Sequence, residues 1–247
     1  MSDNKQHIAL VTGASRGIGA AIAQELAQQG YLVIGTATSD DGAAKITQAL
    51  SAHAGCRGAN LNVNDGAAVE ALIDQITKDH GALHVLVNNA GITRDTVFRK
   101  MTPEDWRAVI DTNLNSLFNV TKQVIDGMVE AGWGRVISIS SVNGQKGQFG
   151  QSNYATAKAG IHGFTMSLAQ ETAAKGVTVN TVSPGYIGTD MVTAIREDVL
   201  EKIINTIPVK RLGTPDEIAS IVSWIASDEG GFATGADFSL NGGLHMG

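Results

Sequence analysis

Short apolar runs alternate with longer amphipathic stretches along almost the whole chain. Residues 8–12, Ile-Ala-Leu-Val-Thr, are apolar on both faces and too few for a stable helix, so they predict a buried strand. A glycine turn follows, then a helical pattern over 18–29 that stops at Gly30, then a second strand over 31–36. The same periodicities give helices over 41–53 and 67–80, a third strand at 57–61 between them, and a fourth at 83–87. Thr102-Pro103-Glu104-Asp105 is a helix start, with a hydroxyl to cap, a proline where no N–H is needed, and acids in the first turn. That helix runs on, with a break near Thr112, to about residue 131.

A fifth strand over 135–140, a long helix over 153–174 and a sixth strand over 177–182 come next. Residues 184–208 read as an irregular excursion with short helical pieces, and 191–204 as a lid within it. Thr214-Pro215 opens a capped helix to 226, and 237–240 is a last strand. Apolar strands alternating with helices require a parallel sheet covered on both faces. Right-handed crossovers turn that into a Rossmann-like, doubly wound α/β fold of about seven strands, with ligands at the carboxyl ends of the strands. No linker, repeat or low-complexity stretch interrupts it, so 1–247 is expected to be one domain.

Composition narrows the function. A net charge of -6 and a pI near 5.5 argue against nucleic acid or an anionic membrane as the main partner. The lone Cys56 excludes a disulfide framework and a Cys-rich metal site, and the six scattered histidines lack ligand spacing, so no metal is expected. Residues 1–7 are polar and contain no signal-peptide core, and no apolar run approaches the ~18 residues of a membrane span. A cytoplasmic location is the expectation. Of the 29 glycines, much of the excess over ordinary usage gathers at 13–19, 144–150 and 242–243, which marks loops where backbone comes close to something.

The first of those loops, Thr12-Gly13-Ala14-Ser15-Arg16-Gly17-Ile18-Gly19, joins the first strand to the first helix. Its G-x-x-x-G-x-G spacing permits a tight turn, and the helix N-terminus offers free N–H groups to a pyrophosphate. An acid at the end of the second strand would select NAD by binding the ribose 2′-hydroxyl. Thr36-Ala37-Thr38-Ser39 has none before Asp40, while Arg16, Ser15 and Thr38 suit a 2′-phosphate, so the expected cofactor is NADPH/NADP+.

Tyr154-Ala-Thr-Ala-Lys158 puts a phenol and an ammonium one helical turn apart on one face. A phenol titrates near ~10, and a neighbouring ammonium is expected to lower that, making Tyr154 a usable acid at neutral pH. Ser141, thirteen residues earlier at a strand end, supplies a second donor to a carbonyl oxygen on which negative charge develops.

With this combination on the page, the chain resembles the short-chain dehydrogenase/reductase family over essentially its whole length. Asn89-Ala90-Gly91 after Asn88, Asn113 in the following helix, and Pro184-Gly185 after the sixth strand extend the match. The resemblance implies that Ser141, Tyr154 and Lys158 are catalytic and that Asn113 helps hold a proton-relaying water. It assigns cofactor contacts to Gly13, Ser15, Arg16, Gly17, Ile18 and Gly19. It adds Thr38, Asn62, Val63, Asn89, Ala90 and Gly91, then Tyr154, Lys158, Pro184, Gly185 and Ile187. Asn62 stands where many members have Asp. Ser141 and not Ser140 lies at the matching distance, and neighbours on an extended strand point to opposite sides.

Residues 8–40 resemble bacterial 3-oxoacyl-acyl-carrier-protein reductases. From Val97 onward the text, including Ser141-Val-Asn-Gly-Gln-Lys-Gly-Gln-Phe-Gly-Gln151, resembles acetoacetyl-CoA reductases of polyhydroxybutyrate synthesis. The implied reaction is NADPH-dependent reduction of acetoacetyl-CoA to (R)-3-hydroxybutyryl-CoA, with carrier-protein substrates as the alternative. Substrate contacts then fall to Ser141, Gln148, Phe149, Gln151, Tyr154 and Tyr186, the amides orienting a thioester and the rings limiting the acyl chain. Carrier-protein reductases often carry Arg before the fifth strand; this chain has Gly132, although Lys175 remains at a second docking position. The family also implies a homotetramer. A sugar or polycyclic-alcohol dehydrogenase, or a non-catalytic NADP sensor, are the more distant readings.

Overall fold

The computed structural model describes residues 6–193 and 195–247; residues 1–5, in the polar lead, and residue 194, in the expected lid, lie outside the described residues. The elements are β1 (Ile8–Val11), α1 (Gly17–Gln28), β2 (Leu32–Ala37), α2 (Asp40–Ala49), β3 (Arg57–Asn60), α3 (Gly66–His80) and β4 (Val85–Asn88). They continue with α4 (Pro103–Ile110), α5 (Ser116–Ala131), β5 (Gly134–Ile139), α6 (Val142–Lys146), α7 (Ser152–Thr172) and β6 (Val177–Pro184). The chain closes with α8 (Asp190–Thr193), α9 (Glu197–Thr206), α10 (Pro215–Ala226) and β7 (Asp237–Leu240). Strands and helices stand within a few residues of where periodicity puts them.

Seven parallel strands lie in the order β3-β2-β1-β4-β5-β6-β7. The order reverses between β1 and β4, where Val11 pairs with Gly35 on one side and Val87 on the other. At such a reversal the following loops diverge and leave a crevice beyond the strand ends. Alternate strand residues feed two separate cores. Ala9, Val11, Val33, Val87 and Ile137 pack under α1 and α10. Ile8, Leu10, Ile34, Leu86 and Val136 pack under α3 and α5.

Two local features depart from the simple reading, and two others give form to what it expected. The break near Thr112 is a π-helical turn, Asp111–Asn115, bridging α4 and α5. The helix expected to reach residue 53 ends as α2 at Ala49, after Ser39 caps it by accepting from the N–H of Gly42 at 3.1 Å. The excursion after β6 is organised as α8 and α9, and α6 forms directly after Ser141, where no helix is expected.

Candidate active site

The crevice at the β1/β4 reversal is a cleft of about 710 Å³. Its floor is a knot of hydrogen bonds between the two strand ends. Thr12 Oγ1 accepts from the N–H groups of Asn89 and Ala90, each at 3.0 Å. Asn89 Nδ2 donates to the carbonyls of Thr12 and Gly13 at 2.9 and 3.0 Å. Gly13 has φ +66°, a left-handed conformation that favours glycine. A Cβ on Gly19 would collide with the Gly13 carbonyl and the Asn89 amide, so only glycine lets α1 begin this close to the floor. Arg16, the N-cap of α1, makes no side-chain cap, and no acid stands in the first turn of this helix. The cradle therefore fits a dinucleotide pyrophosphate: glycine backbone, uncapped N–H groups and no competing negative charge.

Gly13, Ser15, Arg16, Gly17, Ile18 and Gly19 all line this cleft. So do Thr38, Asn62 and Val63 at the ends of β2 and β3, and Asn89, Ala90 and Gly91 after β4. Ser15, Arg16 and Thr38 are exposed there. Gly185 and Ile187 instead line a second cavity of about 210 Å³, shared with Tyr186, Ile207 and Asn241. Pro184, the last residue of β6, lines neither cavity. Gly185 is pressed on Asn241, whose Cα would lie 2.7 Å from a Cβ at that glycine. Sequence reasoning missed Thr189 and Asp190 as lining residues of the large cleft. Thr189 Cγ2 would lie 3.2 Å from a Cβ on Gly17, so the excursion folds over the glycine loop earlier than the lid reading assumed.

Ser141, Tyr154 and Lys158 come together where β5 ends. Lys158, on α7, is buried, and its Nζ donates to the carbonyl of Ile139 at 2.7 Å. Burial lowers its pKa to about 8. The same Nζ stands 5.6 Å from the centre of the Tyr154 ring. Ser140 and Ser141 point apart: Ser140 Oγ donates to the carbonyl of Lys158 at 2.9 Å, while Ser141 hydrogen-bonds toward Tyr154. Ser141 Oγ also accepts from the N–H of Asn143 at 3.1 Å, capping α6. Capping explains the unexpected helix, because a serine with extended backbone satisfies an orphan N–H.

One electrostatic expectation is corrected. Burial pushes the Tyr154 phenol up from its ordinary value, the Ser141 hydrogen bond pulls it down, and the Asp95 carboxylate pushes it up again; the net direction is upward. The Lys158 ammonium donates to a backbone carbonyl and stands 5.6 Å from the ring centre, so burial outweighs the lowering that the spacing suggested. A raised phenol holds its proton at neutral pH and is a weaker acid than the spacing suggested.

Asn113 sits in the π-helical turn, fully buried. Its Oδ1 accepts from the N–H of Ile92 and its Nδ2 donates to the carbonyl of Ile92, both at 2.8 Å. The carboxamide thus clamps the loop after β4. A Cβ on Gly91 would meet Asn113 Oδ1 and lie 3.7 Å from Lys158 Nζ, so Asn113, Gly91 and Lys158 converge. Of the expected substrate residues, Gln151 is the best anchored: its Oε1 accepts from Asn143 Nδ2 at 2.9 Å and its Nε2 donates to Asp95 at 2.7 Å. Gln148 and Phe149 are exposed, Gln148 accepting from Lys146 at 3.3 Å and Phe149 showing 86% of its surface. Among the described residues no cluster of three or more potential metal-ligating side chains occurs, and no helix is long and apolar enough to cross a membrane.

The model of short chain dehydrogenases matches residues 7–200. The chain is 63% identical to the acetoacetyl-CoA reductase of Cupriavidus necator, over 98% of this chain and 99% of that one. It is 55% identical to the acetoacetyl-CoA reductase of Shinella zoogloeoides, over 96% and 97% of the two chains. It is 49% identical to a 3-oxoacyl-acyl-carrier-protein reductase of Escherichia coli, over 97% of each. Both kinds of relative align along nearly the full length, which covers the glycine cradle and the Ser141, Tyr154 and Lys158 constellation alike. The chain belongs to the short-chain dehydrogenase family.

Proposed function

We propose that this enzyme, a single domain across 1–247, reduces acetoacetyl-CoA to (R)-3-hydroxybutyryl-CoA with NADPH in the cytoplasm, supplying polyhydroxybutyrate synthesis. The observation that carries the reading is the 63% identity to an acetoacetyl-CoA reductase across almost every residue of both chains. The convergence of Ser141, Tyr154 and Lys158 at the end of β5 supports it chemically. When bound, NADPH supplies the hydride. The glycine cradle and α1 N-terminus hold the pyrophosphate, and Arg16, Ser15 and Thr38 take the 2′-phosphate. Asn62, Val63, Asn89, Ala90 and Gly91 shape the remaining wall.

Tyr154 gives its phenolic proton to the ketone oxygen, and Ser141 donates a hydrogen bond to the same oxygen as it gains negative charge. Lys158 offsets the phenolate left behind, and a proton relayed from solvent through a water that Asn113 helps hold passes by way of Lys158 back to Tyr154. Gln151 holds the thioester from a fixed amide, while Gln148, Phe149 and Tyr186 close over a short acyl chain. Exposed Phe118 on α5, Met166 on α7 and Met246 in the tail support a homotetramer with the long helices and the last residues in its interfaces.

The test is oxidation of NADPH by purified protein with acetoacetyl-CoA, compared with Tyr154→Phe and with acetoacetyl-acyl-carrier protein. Rapid turnover of the CoA thioester, lowered by about 100-fold or more in the variant, is expected. Faster turnover of the carrier-protein thioester would transfer the assignment to fatty-acid synthesis, the reading favoured by the Escherichia coli relative.

A further inference from the structure

A polar cluster behind the catalytic residues joins four elements through one carboxylate. Asp237, the first residue of β7, accepts from Ser183 on β6 through Oδ1 at 2.7 Å. Its Oδ2 accepts from Gln145 Nε2 on α6 at 2.6 Å and faces His162 Nδ1 on α7 at 3.5 Å. Gln145 Nε2 also reaches Ser239 Oγ, so α6 is tied to β7 at two points. On its other side, His162 Nε2 shares a hydrogen bond with Ser140 Oγ at 3.2 Å.

These contacts converge on the two helices that present the chemistry. Ser141 caps α6, and Gln145 stands one turn further along that helix. His162 stands one turn beyond Lys158 on the same face of α7. The end of β5 is then gripped residue by residue: Ile139 by Lys158 Nζ, Ser140 by the Lys158 carbonyl and His162, Ser141 by Tyr154 and the N–H of Asn143. Asp237 touches both helices from β7, on the side away from the cofactor cleft, which neither it nor His162 lines.

We propose that Asp237 and His162 are positioning residues for catalysis, holding α6 and α7 in the register that brings Ser141 against Tyr154 beside Lys158. Reactions of this kind lose about 100-fold for ~1 Å of misplacement, so a tether behind the site acts on the chemical step more than on binding.

The proposal rests on the reductase reading for its kinetic arm, and a second arm needs no turnover. Asp237→Ala and His162→Ala are expected to lower kcat by about 10-fold or more while the KM values for NADPH and acetoacetyl-CoA stay within about 2-fold. Because both residues act through one chain of contacts, the double variant is expected to match the lower single variant. Asp237→Asn keeps an acceptor oxygen and should recover part of the loss. For the second arm, the Tyr154 phenol is titrated by ultraviolet difference, using Tyr154→Phe as the blank. Freeing Ser141 should move that phenol ionisation to higher pH in Asp237→Ala and His162→Ala and by a smaller step in Asp237→Asn, which decides the matter if the alanine proteins do not fold. Unchanged kcat, multiplicative losses, or KM values that rise in place of a kcat fall would overturn the proposal. So would a phenol that titrates as in the wild type.

Discussion

Lys158 shows how one residue serves two opposed demands. An unfolded chain keeps that ammonium protonated up to about 10.5, whereas the folded protein, where it is buried, releases the proton near about 8. Between those values the unfolded state binds more protons, so stability rises with pH; below about 8 the fold carries the whole desolvation cost, a few kcal/mol. Lys158→Met removes that cost and forfeits one hydrogen bond to Ile139, worth about 1 kcal/mol. Thermal melts should show the inactive variant more stable than the wild type at pH 7, with the gap closing as pH approaches 10. A constant gap across that range would mean the lysine is not a buried charge. Tyr154 fits the same environment from the other side, since burial that disfavours the ammonium also keeps the phenol protonated.

At the scale of elements, the two ends of the layer formed by α1 and α10 separate function from stability. Gly19→Ala places a methyl group against the Gly13 carbonyl and Asn89, both parts of the cleft floor. Its expected effect is a rise of about 10-fold or more in the NADPH dissociation constant, measured by fluorescence titration, with the fold retained. Thr214 begins α10 with a reciprocal cap, accepting from the Glu217 N–H at 3.2 Å while Glu217 accepts from the Thr214 N–H at 2.9 Å. Ile218, Val222 and Ile225 of that helix pack in the core shared with α1. Thr214→Ala should cost about 1 kcal/mol and lower the melting temperature by ~2–4 °C. Because the cap lies outside the large cleft, kcat should be unaltered.

Over the whole molecule, the reversal of strand order makes cofactor binding a property of the fold's two halves together. β1, α1 and β2 supply the cradle, and the loops after β3 and β4 supply the facing wall. A ligand spanning both halves stabilises them jointly. NADPH at ~100 times its dissociation constant adds about 2.7 kcal/mol, which should raise the melting temperature by about 5–10 °C for a chain of this size. NADH at the same concentration should raise it less, and Arg16→Ala should remove the difference. Equal shifts for both cofactors in the wild type would refute the 2′-phosphate role of Arg16.

Apolar runs and turn residues in the sequence determine the alternation of strands and helices, because burial on two faces and capping are local chemical demands. The Tyr154-x-x-x-Lys158 spacing and the glycine loop are legible for the same reason: a helical turn and a strand–helix junction are short-range geometry. The choice of Ser141 over Ser140 follows from strand alternation and agrees with their opposite contacts. Tertiary structure decided what depends on partners far along the chain. It separated Gly185 and Ile187 from the large cleft, folded Thr189 over the glycine loop, and turned the Lys158 ammonium onto Ile139. It also brought Asp237 against Gln145 and His162, 92 residues from the former. Charge, desolvation and hydrogen-bond geometry at such points are set by packing, which no local pattern encodes.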